Sequence, residues 1–440
     1  MNRPELLSPA GNYEKMTAAL RFGADAVYLA GQSFGMRSAA DNFTVEELYA
    51  ASDEVHRCGK KLYLTVNTMP HEDEYGALRE YLSALRDCPV DALIVADLGA
   101  LMTAREILPD TEIHISTQAS IVSSAAAKAY AALGARRLVL ARELTLEEIR
   151  AIRENLDPAI ELEVFIHGSM CVSYSGRCLL ANALNGRDGN RGTCSQPCRW
   201  NYTLIEEKRP DERFPIEETD LGTFILSSKD LCMIGHIPEL CESGIASLKI
   251  EGRMKSAYYA AVVTNAYRMA IDAYCADPAG YHFRQEWLEE LESVSHREYG
   301  TGFFFARPGE NPQLVHTCGY IREKAYFSTA TEYHKEELAA ITAAGIPEEN
   351  GEGRLYRFVQ RNKLSLGEGA ELISPGRTGR GFRATGLYAP DGTPLESTPH
   401  PSMIYWCRVP FDVHEGDILR AATGRGLEVR AKDRLKGDRQ

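Results

Sequence analysis

The first two thirds of the chain alternate between short β-prone runs and amphipathic stretches, and this pattern constrains the fold more than any other feature. Segments typical of helices separate the β-prone runs; the one at 145–154 begins at Thr145 and carries Glu148 three residues later, the signature of a capping box. Eight such units predict an α/β fold, a (β/α)8 TIM-like barrel. A doubly wound open sheet is the competing fold, but no G-x-G-x-x-G motif follows the first strand. The candidate strands are 5–8, 26–30, 62–67, 92–96, 113–116, 137–141, 161–166 and 247–251.

Polar residues stand where the predicted strands end. In a (β/α)8 barrel these positions meet at one rim, which is where active sites lie. Ser8, Asn67 and Asp97, taken singly, are equally well explained as caps of the helices that follow them. The recurrence of polar residues at one rim nevertheless favours a functional pocket. The set comprises Ser8, Asn67, Asp97, Gln118, Arg142, His167, Glu251 and Arg253.

The repeat breaks between the seventh and eighth predicted strands, where a long insertion at about 167–246 replaces the short connection expected there. Glycines and arginines surround its cysteines, so that backbone amides and cations can offset thiolate charge. Only Cys194 and Cys198 have the tight spacing of a zinc knuckle, and the spacing therefore favours an iron-sulfur cluster over zinc. The residues before Cys232 also predict a helix start, near which a thiolate is stabilised. The insertion holds five of the eleven cysteines: Cys171, Cys178, Cys194, Cys198 and Cys232.

Composition and hydropathy indicate where in the cell the protein works and which kinds of partner it can bind. No basic stretch leads into a long apolar run at the N-terminus, and no later segment approaches the roughly 18 apolar residues needed to cross a bilayer. We therefore expect a cytoplasmic protein with reduced thiols and no membrane partner. The net charge of −13 argues against a globally basic nucleic-acid coat and leaves room for a local basic patch. The cysteines outside the insertion are expected to be buried structural thiols: Cys58, Cys88, Cys241, Cys275, Cys318 and Cys407.

Beyond about residue 300 the pattern changes to short alternating runs separated by turns, as at 354–359, 370–373, 381–387, 404–408 and 417–420. Asp391-Gly392 is typical of a hairpin turn. This part of the chain therefore predicts a small barrel-like β domain. We place the barrel with its insertion at 1–300, the β domain at 301–425 and a basic tail at 426–440.

Several motifs resemble those of the collagenase-like peptidases of family U32, over nearly the whole chain. They are Glu5-Leu-Leu-Ser-Pro-Ala-Gly11, Tyr174-Ser-Gly-Arg-Cys178, Asn190-Arg-Gly-Thr-Cys194, Ser228-Lys-Asp-Leu-Cys232 and Leu248-Lys-Ile-Glu-Gly-Arg253. The resemblance implies a 4Fe-4S cluster held by Cys171, Cys178, Cys194 and Cys232. It further implies an enzyme that converts the wobble uridine of tRNA to 5-hydroxyuridine, with prephenate rather than dioxygen as co-substrate. Other branches of the family hydroxylate ribosomal RNA or ubiquinone precursors, and the family name itself indicates a peptidase, although no H-E-x-x-H motif is present.

The candidate site residues are chosen from the strand ends at the rim and from the groups that the expected substrates would need for binding. A dicarboxylate such as prephenate needs cations, which Arg142, Lys249 and Arg253 are placed to provide. A nucleobase would stack on Tyr174 or Trp200. The candidate catalytic residues are His167, Tyr174, Arg142 and Glu251, although His167 is equally well explained as a packed strand-end histidine. The candidate substrate-binding residues are Asn67, Gln118, Arg177, Lys249 and Arg253.

Overall fold

The computed structural model describes residues 3–36, 41–200, 204–206, 209–214, 218–219, 222–223, 228–305 and 320–422. The chain divides into two compact units. The first comprises Met1–Ala260, Ala270–Phe283 and His296–Tyr320, and the second comprises Ala261–Met269, Arg284–Ser295 and Ile321–Gln440. Cys318 and the predicted tail at 426–440 lie outside the described residues.

Eight parallel strands in the first unit form a closed barrel, which confirms the predicted fold class. Each strand pairs with the next along the chain, and the eighth pairs with both the seventh and the first. The strands are buried almost throughout, as expected for apolar runs in a parallel sheet covered by helices. The strands are β1 Glu5–Pro9, β2 Ala26–Ala30, β3 Lys61–Val66, β4 Ala92–Val95, β5 Glu112–Ile115, β6 Arg137–Val139, β7 Glu161–Ser169 and β8 Ser247–Ile250.

Helices follow the strands, and several begin at the residues that the sequence indicates. Thr145 and Glu148 form the expected capping box. Asp97 accepts a hydrogen bond from the Ala100 N–H at 2.9 Å, so this strand-end residue is a helix cap. No helix in the described part of the chain is long and apolar enough to cross a bilayer. The helices around the barrel strands are Tyr13–Arg21, Val45–Arg57, Tyr75–Ala84, Leu98–Ile107, Ser124–Ala132, Leu146–Glu154, Ile237–Glu242 and Ala257–Ala276.

The insertion leaves the barrel at the end of β7 and returns along the same strand. A short strand, Asp230–Cys232, pairs antiparallel with β7 and places Cys232 opposite His167. Cys232 therefore ends a strand, and the helical segment begins two residues later, at Ile234–His236 followed by Ile237–Glu242, so the expected helix start lies close to Cys232. The remaining elements of the insertion are the helix Leu180–Asn185 and the strands Leu204–Glu206, Arg209–Phe214, Glu218–Thr219 and Gly222–Thr223.

A buried ion pair fixes the returning strand. Arg297 donates to Asp230 Oδ1 from Nη2 at 2.6 Å and from Nε at 2.9 Å, and both side chains are almost fully buried. Ser228 Oγ donates to the Met170 carbonyl at 2.7 Å. These contacts hold both ends of the insertion at one place on the barrel.

The second unit contains the predicted β domain, an antiparallel sheet whose core includes Phe358, Tyr405 and Leu419. The expected hairpin turn is present, since the Ala389 N–H donates to the Thr393 carbonyl at 2.9 Å and Gly392 has a φ of +88°. The sheet order is Arg380–Arg383, Gly369–Ile373, Ile418–Ala422, Lys324–Ala330, Gly353–Gln360, Ile404–Val409 and Leu387–Tyr388, with Glu349–Asn350 paired to Gly353–Gln360. The unit also contains the helices Gln285–Glu292 and Lys335–Ala343.

The cysteines outside the insertion follow the expectation only in part. Cys88, Cys241 and Cys407 are buried, and burial raises the pKa of Cys88 to about 11. Cys58 is exposed because it caps the outer end of the helix Val45–Arg57, and Cys275, near the end of its helix, is half-buried. The prediction of a buried thiol was therefore wrong at these two positions.

Candidate active site

A cavity lies at the carboxyl ends of the barrel strands, where barrel active sites occur. Its wall combines side chains from β2 to β8, or from the loops after them, with residues 170–199 of the insertion. Ten of the thirteen predicted site residues line it. They are Asn67, Gln118, Arg142, Cys171, Tyr174, Cys178, Cys194, Lys249, Glu251 and Arg253.

Amides and hydroxyls form one side of the cavity. Asn67 Nδ2 donates to Ser116 Oγ at 3.3 Å, and Ser116 Oγ in turn donates to Gln118 Oε1 at 3.3 Å. Gln118 is buried, yet its Nε2 has no hydrogen-bond partner among the described residues. A buried donor without a partner is costly, and this one is therefore available to a ligand.

Two guanidinium groups reach the cavity. Arg142 donates to the Ser169 carbonyl at 2.9 Å and to Ser175 Oγ at 2.6 Å, so its position is fixed from two sides. Arg253 is 4% exposed and donates to Thr65 Oγ1 at 3.3 Å. Guanidinium groups held in this way are suited to bind carboxylates.

Lys249 also lines the cavity, but its charge is already paired. Its Nζ lies 2.7 Å from Glu163 Oε1 and 4.4 Å from the centre of the Tyr28 ring. Burial alone would raise the pKa of Glu163, but the charges of Lys249 and Arg137 outweigh it and hold that pKa below its ordinary value. Lys249 therefore adds little net charge for a dicarboxylate, in contrast to its expected role.

Below the cavity, at the amino ends of the strands, lies a set of paired charges that we call the base network: Glu5, Arg137, Glu161, Glu163 and Lys249. Arg137 contacts three carboxylates, at 2.5 Å for Glu5, 2.8 Å for Glu161 and 3.2 Å for Glu163. Tyr63 and Ser247 donate hydrogen bonds to Glu5 at 2.6 and 2.9 Å. The network closes the barrel interior beneath the cavity.

The insertion contributes thiols to the same cavity. Cys171, Cys178, Cys194 and Cys198 all line it. The Gln196 N–H donates to Cys194 Sγ at 3.4 Å. Burial raises the pKa of Cys198, and the neighbouring thiols of Cys171 and Cys194 add to this while Arg199 opposes it.

Cys232, the fourth ligand that the resemblance implies, does not line the cavity. It is 9% exposed at the end of the strand Asp230–Cys232, beside Tyr259. Within the described residues, no three His, Cys, Asp or Glu side chains are arranged around a single ion. The donor set, several thiols with amide and guanidinium donors around a cavity, fits a cluster held by cysteines better than an isolated hard cation.

Loop contacts fix the cysteine-bearing segment. Arg191 pairs with Glu74 at 2.5 Å, and Asn190 Nδ2 donates to the Cys178 carbonyl at 3.2 Å. Gly168, at a φ of +103°, passes so close to β8 that a Cβ there would lie 2.4 Å from the Glu251 carbonyl oxygen. These contacts hold the segment against the loop after β3 and against the end of β8.

His167 lies outside the cavity. Its ring is 1% exposed and packs against Tyr299 and Tyr259, with centroids 5.4 and 6.0 Å away. Burial lowers the pKa of His167 to about 3. The structure thus places a neutral, packed histidine here, and its acid–base role remains a prediction.

Arg177 lies on a second surface. It is exposed and lines a shallow groove with Tyr174, which also borders the cavity. Glu251 lies in the cavity and accepts a hydrogen bond from the Tyr28 hydroxyl at 3.3 Å.

Sequence reasoning missed several polar lining residues, among them Tyr28, Thr65 and Ser116 on the barrel. Tyr28 and Thr65 lie within strands that are buried on both faces, and such runs give no sign of which side chains face the barrel interior. Ser116 directly follows β5 and belongs to the strand-end set on the same grounds as Gln118.

Comparison with known proteins gives the family. Residues 11–314 match the model of Peptidase family U32, and residues 341–420 match that of the Peptidase family U32 C-terminal domain. The chain is 38% identical over 419 residues to "tRNA hydroxylation protein P1" of Bacillus subtilis, covering 95% of this chain and 94% of the relative. It is 34% identical over 453 residues to "tRNA hydroxylation protein P" of Escherichia coli, covering 94% and 95%. A "Collagenase" of Porphyromonas gingivalis is 33% identical over 343 residues, covering 76% and 81%. The chain therefore belongs to peptidase family U32.

Proposed function

We propose that this protein is an RNA hydroxylase that converts the wobble uridine of tRNA to 5-hydroxyuridine, with a 4Fe-4S cluster as cofactor and prephenate as co-substrate. The observation that carries this proposal is the convergence of three predicted cluster cysteines and two guanidinium groups on one cavity. Relatives matching almost the full length and named for tRNA hydroxylation support the substrate class. A soluble cytoplasmic location agrees with that class of substrate.

The chain's own residues have separable tasks in this proposal. Arg142 and Arg253 bind the carboxylates of the co-substrate, and the Gln118 amide orients it. Cys171, Cys178 and Cys194 hold the cluster, with Cys232 or Cys198 as the fourth ligand, and when bound it supplies redox and Lewis-acid chemistry at the cavity. Tyr174, which borders the cavity, stacks on a base of the RNA.

The relative named as a collagenase favours a peptidase as the second candidate. A Cys232–His167 pair is the nearest to a dyad, but both residues are buried outside the cavity, and burial keeps His167 neutral. The string Gly31-Gln-Ser33-Phe-Gly35 matches the G-x-S-x-G motif of serine hydrolases. Ser33 is exposed, lies in a bend after β2 rather than on a strand–helix elbow, and does not line the cavity. The geometry therefore favours the hydroxylase.

The cofactor is tested by anaerobic purification with iron and sulfide analysis. We expect single alanine variants of Cys171, Cys178 and Cys194 to lose iron and all hydroxylation, whereas Cys275→Ala, outside the cavity, retains both. The iron content of the variants Cys232→Ala and Cys198→Ala identifies the fourth ligand, because iron is lost only when the ligand is replaced. A colourless wild-type protein with bound zinc would contradict the cluster.

The reaction is tested by nucleoside mass spectrometry of tRNA from a deletion strain lacking redundant enzymes. We expect 5-hydroxyuridine derivatives to disappear and to return on complementation with the wild-type chain but not with Cys171→Ala. Unchanged 5-hydroxyuridine derivatives, with loss of a hydroxylated cytidine in ribosomal RNA instead, would reassign the substrate.

A further inference from the structure

A second concave surface adjoins the cavity. We call it the side groove; its lining residues are Ser120, Val122, Ser173, Tyr174 and Arg177. Ser173 and Tyr174 also line the cavity, so the two spaces share a wall. The proposed reaction uses the cavity and gives the side groove no task.

The side groove combines an aromatic face with a cation. Tyr174 is 45% exposed and Val122 is 43% exposed, although large apolar side chains are usually buried. Arg177 is exposed, and its guanidinium makes no ion pair with any described residue. Aromatic side chains stack on nucleobases, and arginine binds phosphate through paired N–H groups.

Hydrogen bonds within the protein fix the shape of the side groove. The Arg177 N–H donates to the Tyr174 carbonyl at 3.1 Å, which closes a turn, and Ser120 Oγ donates to the Ser175 carbonyl at 3.2 Å. Gly176, with a φ of +77°, lies so close to the loop after β5 that a Cβ there would be 2.8 Å from the Gln118 carbonyl oxygen. Little ordering is therefore needed when a ligand binds.

We infer that the side groove holds a nucleotide adjacent to the one that is modified, with its base on Tyr174 and its phosphate at Arg177. The inference rests on the proposed function and adds to it a specificity site outside the reaction cavity. A single-stranded loop suits this arrangement, because its bases are free to splay into two neighbouring spaces. An acidic peptide could pair with Arg177 but would not need the aromatic face.

The test uses the full chain with its cofactor and an anticodon stem-loop RNA in which either neighbour of the target uridine is replaced by an abasic residue. Binding of the wild-type protein is expected to weaken roughly tenfold for one of the two abasic RNAs, the scale of one base–aromatic stack. Tyr174→Ala is expected to weaken binding of the intact RNA by a similar factor and to add no further loss with that abasic RNA. Tyr174→Phe, which keeps the ring, should bind within about twofold of wild type.

Arg177→Ala is expected to weaken RNA binding. It should also reduce the slope of log affinity against log salt concentration by about one, the value for a single phosphate contact. Arg150→Ala, an exposed arginine outside groove and cavity, is the matched control and should bind as the wild type does. If the loss of affinity caused by Tyr174→Ala and the loss caused by each abasic substitution were fully additive, the inference would be overturned. Continued hydroxylation by the wild-type protein would leave the proposed function standing in that case. A protein that binds and hydroxylates no RNA would overturn the proposed function together with it, and binding of an acidic peptide instead would point to a protein partner.

Discussion

The barrel interior has two polar regions that differ in how their groups are paired. In the base network, every charge lies within 3.2 Å of an opposite charge. In the cavity above it, Gln118 retains a donor with no partner among the described residues, and Arg142 is held by a carbonyl and a hydroxyl. Paired groups stabilise the fold, whereas groups held in place but left unsatisfied are suited to a ligand.

The largest expected effect comes from breaking the base network. Glu163→Ala leaves Lys249 buried without its carboxylate and removes one of three partners of Arg137, so we expect a loss of about 3–5 kcal/mol in the free energy of unfolding. Urea unfolding of the apo-protein measures it. Glu106→Ala, which breaks the exposed pair with Arg79, is the matched control and should unfold as wild type does. Equal stability of the two variants would mean that the base network has no structural role.

The comparison also shows what the sequence could and could not predict. All eight strands were recognisable because runs buried on both faces are continuously apolar. The base network was not, because Glu5, Arg137 and Glu163 lie on three strands whose side chains meet only when the barrel closes. For the same reason Lys249 was expected to bind a dicarboxylate, because its partner, Glu163, lies 86 positions away along the chain. The separation of Cys232 from the cavity likewise depends on the return path of the insertion.

A smaller effect, on activity rather than stability, is expected at Gln118. Gln118→Leu removes a buried Nε2 that has no partner in the described structure, together with the Oε1 that accepts from Ser116, so the melting temperature should change little. Under the proposed function, the loss of one hydrogen bond to a charged co-substrate should lower kcat/KM for prephenate roughly 10- to 100-fold. Steady-state hydroxylation with varied prephenate measures this.

Gln360 provides the matched control for Gln118. It is also buried, in the second unit, and donates to the Thr398 carbonyl at 3.1 Å, while its Oε1 has no partner among the described residues. Gln360→Leu is therefore expected to change the melting temperature about as much as Gln118→Leu does and to leave kcat/KM unchanged. If Gln118→Leu also left kcat/KM unchanged, the amide in the cavity would have no role in binding and the contrast between the two regions would fail.

The smallest expected effect is on the pH dependence of the free energy of unfolding, to which His114 at the base of the barrel contributes. His114 is 1% exposed beside Tyr63, and burial lowers its pKa, a shift that Glu112 opposes and Arg137 reinforces. The folded state thus keeps the ring neutral, while the unfolded chain takes up a proton below about pH 6.5. The contribution of His114 to the free energy of unfolding is therefore fully present above that pH. Below it, the free energy of unfolding falls by at most about 1.4 kcal/mol per pH unit for this group, until the lowered pKa is reached.

Urea unfolding between neutral pH and pH 5 tests this prediction. His114→Gln should give a shallower fall in the free energy of unfolding than wild type, because its side chain cannot take up the proton. The same replacement at the exposed His414 should leave the slope unchanged. Identical slopes for wild type and His114→Gln would show that the barrel base admits the proton, and that its charges are less isolated from solvent than their pairing indicates.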